Sequence, residues 1–250
     1  MSSTELLHLL PYAEIILCLV ALYFLISRGH WQLYWALGML LLVRVTTSLF
    51  LLLILHLSGN AIEKHLAYQI YFYVYWGAFA IEVLLTLLVL YDAFRVVLEP
   101  FRGLQRLGSR IFCGIAVLCF ALAVFISFGP HIDGSRLLIA AITQLQGTLD
   151  FFTLCVVLYI FGVMRAVGLS YRSTVFGVTM GLGILAAKEL VVTSVLTHNP
   201  QMFQQSNVVN GVVAVAVAGL WAVYLALSEP GRRTVELPAN SYLARWNRIG

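Results

Sequence analysis

Long apolar runs, broken by short polar stretches, set the pattern of this chain. Residues 49–55 and 81–90 are apolar almost without interruption and do not alternate. A strand of a membrane barrel would alternate apolar and polar positions over about ten residues. Helices are therefore predicted. A membrane-crossing helix takes about 20 mostly apolar residues. Seven such stretches are predicted, at residues 11–28, 32–57, 68–98, 110–129, 136–164, 173–197 and 208–228. The third and fifth are long enough to tilt or to extend past the bilayer. The expected fold is all-α: a polytopic membrane protein, with one bundle of seven transmembrane helices over residues 1–228. A short basic cytoplasmic tail follows at 229–250.

Composition narrows the class. The 250 residues are 61% hydrophobic and 10% charged, with a mean hydropathy of +0.93. Soluble domains carry about 25% charged residues, and disordered chains are poor in apolar ones. Both classes are excluded. The N-terminal segment lacks the basic region of a cleaved signal. Ser2 and Glu5 have the spacing of a capping box, and Pro11 is expected to kink or restart the helix that follows. The first span is expected to stay in the mature protein.

Lys and Arg bias sets the expected orientation. Arg28, Arg95, Arg102, Arg106, Arg110, Arg165, Arg172, Arg232, Arg233, Arg245 and Arg248 fall in alternate connections and the tail; the opposite side has only Lys64 and Arg136. The N-terminus is thus expected outside and the C-terminus in the cytoplasm, in a plasma membrane or a bacterial inner membrane. The net charge of +4 is a topology signal and gives no footprint for nucleic acid. Residues 99–110 are expected to form a basic loop lying against anionic headgroups. That face is also the candidate docking side for a partner protein.

The residues that do not belong in a membrane carry the functional argument. An ionisable side chain at mid-membrane costs about 2.5–3.5 kcal/mol on insertion scales. Arg44, Glu82, Asp150, Lys188 and Glu189 all fall within predicted spans. They are expected to face inward and find one another, linking the second, third, fifth and sixth spans. Tyr68, Phe72, Tyr75, Phe79 and Glu82 recur at steps of three and four, as do Thr143, Gln146, Asp150 and Thr153, so each set shares a helix face. Tyr75 and Gln146 join the candidate ligand or proton site on that ground; helix–helix adhesion gives the same pattern. Tyr71 and Tyr73 are expected in the interfacial belt. Two cations face three carboxylates. A surplus carboxylate in low dielectric takes up a proton or binds a cation. Asp150 or Glu82 is expected in that role. Lys188 and Glu189 are sequence neighbours, and neighbours on a helix do not face each other.

Other features point to packing. Cys18, Cys113, Cys119 and Cys155 lie in spans without metal-ligand spacing and are expected as small buried residues. Five of six histidines map to the outer side, again without ligand spacing. Gly177, Gly181 and Gly183 suit close helix approach. The segments 38–48 and 183–194 each carry a glycine, a cation and a Thr-Ser pair, but their register slips by one and the flanking spans do not match. No Gly-x-Ser-x-Gly occurs, and the histidines sit away from the central carboxylates, so no enzyme, catalytic residue, metal or cofactor is expected. The last predicted span lacks a lysine for a retinal Schiff base. Beside the lipid bilayer, a small-molecule ligand is the expected partner, and receptor-like sensing or binding the favoured role. The alternatives are a small-solute or proton-coupled transporter, and a structural subunit of a larger membrane complex.

Overall fold

A computed structural model describes residues 3–57, 64–99, 102–127, 134–164 and 169–227. They form seven α-helices and no strand: α1 (Ser3–Ser27), α2 (Trp35–Leu57), α3 (Lys64–Leu98), α4 (Arg102–Ser127), α5 (Gly134–Met164), α6 (Thr174–His198) and α7 (Phe203–Ala226). Short 3-10 turns lead into α2 and α7. Among the described residues, Leu9–Ser27, Trp35–Leu57, Thr143–Val163, Thr174–His198 and Gln205–Ala226 are long and apolar enough to cross a membrane. Five such helices are the mark of an integral membrane protein. The tail at 229–250 and the Ser2 half of the expected capping box lie outside the described residues.

The chain gathers into two compact units. The first holds the described parts of 3–86 and 191–226, and the second holds the described part of 87–190. In the first, α1 packs on α7 and α2. Its buried side chains are Ile15, Cys18, Ala21 and Leu25, spaced three, three and four apart, which aligns them along the helix. α7 answers with Ala218, Ala222 and Leu225. Small residues let the backbones approach: a Cβ on Gly211 would lie 2.8 Å from Leu10 Cδ1. α1 runs through Pro11 without a break, so the expected restart does not occur. It ends at Gly29, whose φ of 70° is the left-handed conformation that glycine adopts freely. Just before it, Arg28 Nη2 donates to the Ala226 carbonyl at 2.7 Å. A cation thus satisfies an orphan carbonyl at the C-terminus of α7, where the helix dipole favours it.

The second unit is held by aromatic packing. Phe112 of α4 lies 5.7 Å from Phe94 of α3 and 5.1 Å from Phe152 of α5, ring centre to ring centre. Phe161 meets Phe176 of α6 at 5.2 Å. Residues 102–110, expected as a loop, form the first turns of α4 instead. Gly108 is the reason the pattern misleads. It is a contact residue, where a Cβ would come 2.9 Å from Phe94 Cζ. Gln105 Nε2 donates to the Arg95 carbonyl at 3.1 Å, closing the end of α3. Gly183 likewise admits Val157, with 3.0 Å from its would-be Cβ to Val157 Cγ1. The cysteines divide: Cys18 is buried, whereas Cys113 and Cys155 are exposed, contrary to expectation. α4 and α5 present them on faces their neighbours leave uncovered. Cys119 lies among side chains that are not described.

Gly38 offers a direct test of the first unit. A Cβ there would overlap the Trp31 ring and reach Leu25 Cδ2 at 3.0 Å. Overpacking of this kind costs about 1–3 kcal/mol. Gly38→Ala is expected to lower the unfolding midpoint in detergent, and adding Trp31→Leu to recover most of the loss. Gly162→Ala, where no atom lies within 4 Å, should leave the midpoint unchanged or slightly raised. Equal loss from both glycine variants would contradict this packing.

Candidate functional site

Arg44 and Glu82 fall in one unit, and Asp150, Lys188 and Glu189 in the other. The first group is centred on Arg44 of α2. Its Nη1 lies 3.6 Å from Glu14 Oε1 of α1, and its Nε lies 3.3 Å from Glu82 Oε2 of α3. The side chains keep 17% (Arg44) and 23% (each glutamate) of their exposure, so the ions are largely removed from solvent. A guanidinium has five N–H donors in a rigid fork. It can hold two carboxylates from two different helices at once, which an ammonium point charge does less well. Cys18, one turn after Glu14, is fully buried and lies within the field of all three ions.

The second group lies on α5 and α6. Lys188 Nζ donates to Glu189 Oε1 on the same helix. Adjacent positions on a helix do not face each other, yet the flexible lysine stem curls back to its neighbour, and the two pair. Asp150 of α5 is half-buried and feels the charges of both Glu189 and Lys188. Among the described residues it makes no direct ion pair. Thr153, one turn on, is buried. Gln146, one turn before, is half-buried.

Tyr75 belongs to the first unit. It stacks on Tyr71 at 6.3 Å and on Phe79 at 6.2 Å, with nearly parallel rings. This ladder descends α3 in steps of four and stops one turn short of Glu82. Tyr71, assigned to an interfacial belt, is thus also a rung of the ladder. Tyr68, expected on the site face, is 69% exposed.

Glu14 is the site residue that the sequence reading misses. It falls within the first predicted span, 11–28, near its start. Its signal is helical position: Leu10, Glu14, Leu17 and Ala21 follow one another at steps of four, three and four, on the face that packs against α7. With Glu14 included, each group has one cation and two carboxylates, a formal surplus of one acid apiece. Among the described residues, no three of His, Cys, Asp and Glu gather as metal ligands would. The chain matches no known protein family, no curated protein and no solved structure.

The two carboxylates of the first group are not equivalent to its cation. Removing one partner from a buried ion pair costs about 3–5 kcal/mol. Arg44→Gln leaves two acids facing each other and is expected to lose stability in that range. Glu14→Gln or Glu82→Gln each leave one balanced pair and should cost less than half as much. Denaturant titration in detergent of these variants and of the Glu14→Gln/Glu82→Gln double checks the order. A double variant that costs no more than the singles combined would mean that the acids do not share the guanidinium.

Proposed function

We propose that this chain is a receptor-like membrane protein that binds a small cationic ligand at a buried carboxylate. The observation that carries the reading is Asp150. It feels the charge of Lys188 but makes no direct ion pair among the described residues, which leaves it open to an incoming positive charge. A carboxylate inside a membrane span is costly unless partnered, so the cation of a ligand gains the pairing that Lys188 does not supply. Gln146 and Thr153, on the same face of α5, add hydrogen-bonding groups that fix orientation. In this reading the helices form a seven-span bundle, with the N-terminus outside and the C-terminal tail in the cytoplasm of a plasma or bacterial inner membrane. The inner arginines then offer a face to a partner protein.

A second reading is proton-coupled transport of a small solute. It is favoured by the same acid, which makes no ion pair among the described residues, since a carboxylate that can exchange a cation for a proton is the working part of such a carrier. The first group then serves as the fixed element. A subunit role has no comparable observation behind it.

Calorimetry on protein reconstituted in nanodiscs tests the proposal. Choline, putrescine and arginine serve as cationic probes, with acetate and glucose as controls. At least one cationic probe is expected to bind, with affinity falling at least tenfold in Asp150→Asn and within threefold of wild type in Glu82→Gln. Binding of the controls alone, or affinity untouched by Asp150→Asn, overturns it. In vesicles, proton movement driven by a bound probe and abolished by Asp150→Asn would favour the carrier over the receptor.

A further inference from the structure

α3, α4 and α5 enclose an apolar groove of about 580 Å³ in the second unit. Among the described residues, no charged side chain lines it. Its polar atoms are the Thr148 and Tyr159 hydroxyls and the Cys155 thiol, and the Thr148 hydroxyl already donates to the Gln144 carbonyl at 2.8 Å. An occupant must therefore be apolar along its length. The groove follows α4 from Leu107 to Ile115, about 12 Å at 1.5 Å per residue. It opens at the surface, where Ile111 is 53% and Phe151 64% exposed.

Charge is confined to one end. Leu98 and Leu107 lie there, and the residues around them include three exposed arginines: Arg95 on α3, Arg106 and Arg110 on α4. Arg95 is steadied over the Tyr91 ring at 5.8 Å, and the Gln105 bond ties α4 to the same turn. The other end, at Ile115 and Thr148, lies midway along α4 and α5. The order along the groove is cationic rim, then apolar channel, parallel to helices of membrane length. A phospholipid has the complementary order, an anionic phosphate and then an acyl chain. Arginine matches phosphate geometry through its forked donors, and its stem can lie along apolar surface while its head stays at the interface.

We propose that this groove is a binding site for an anionic phospholipid, with one acyl chain between α4 and α5 and the headgroup phosphate at Arg106 and Arg110. The site is independent of the carboxylates discussed above and does not rest on the ligand proposed for them. It is tested by native mass spectrometry of the delipidated full chain, titrated with phosphatidylglycerol or phosphatidylcholine of identical acyl chains. Wild type is expected to retain phosphatidylglycerol at least fivefold better. Arg106→Gln/Arg110→Gln, at exposed positions, should reduce it to the phosphatidylcholine level and leave phosphatidylcholine unchanged. Cys155→Phe, which fills the channel, should deplete both. Equal retention of the two lipids by wild type overturns the proposal, and so does a preference that survives both variants. A lipid-free dimer that Cys155→Phe dissociates would overturn it too, by assigning the groove to a second copy of the chain.

Discussion

Arg44 is a cation in the middle of an apolar helix, and much of the first unit is arranged around its neutralisation. Left alone in a bilayer it would cost about 2.5–3.5 kcal/mol on insertion scales. Glu14 and Glu82 come from the two neighbouring helices in sequence, and each meets a different nitrogen of the guanidinium. That requirement fixes the register of α1, α2 and α3 against one another. It is not a simple gain in stability, because well-packed apolar residues can replace buried ions with little loss. What an apolar replacement could not do is specify which turn of α1 faces which turn of α2. The ion group reads as a registration device first.

Close packing makes that registration effective. Between helices in lipid the hydrophobic effect gives no net drive, so association depends on intimate contact and polar bonds. Gly211 admits Leu10, and Gly38 lies against Trp31. Leu10 and Leu17 flank Glu14 on one face of α1, so the contact that seats α1 on α7 also sets the rotation of α1 about its own axis. That rotation decides whether Glu14 reaches Arg44. The Arg28 bond to the Ala226 carbonyl fixes the far end of the same helix pair. Packing and ion pairing thus constrain one degree of freedom from two sides.

The helices were legible from apolar run length alone, because backbone satisfaction in lipid leaves a long apolar segment little other choice. Boundaries failed where composition and contact diverge. Arginines and glycines at 102–110 have the composition of a loop, yet Gly108 is small because Phe94 lies against it. Only the fold reveals that neighbour. The charged cluster was legible as a set of residue types but not as pairs. Glu14 escaped because it lies only three positions into the first predicted span, 11–28, rather than at its centre. Lys188 and Glu189 met because a rule about Cβ directions does not bind a side chain with four methylenes. Side-chain length is a property of the sequence, but the path it takes is set by what surrounds it.

The two ion groups share a stoichiometry and differ in wiring, and the difference bears on function. In the first, the cation is shared between acids on two other helices, so displacing either carboxylate disturbs helix register. In the second, Lys188 is satisfied within α6 by its own neighbour. The contact between α5 and α6 rests on Gly183 against Val157 and on Phe161 against Phe176, and Asp150 makes no ion pair among the described residues. A group that must release and rebind a cation is best placed where the fold does not depend on it. By that criterion Arg44 and its glutamates suit a structural role, and Asp150 is the acid on which the proposed binding rests.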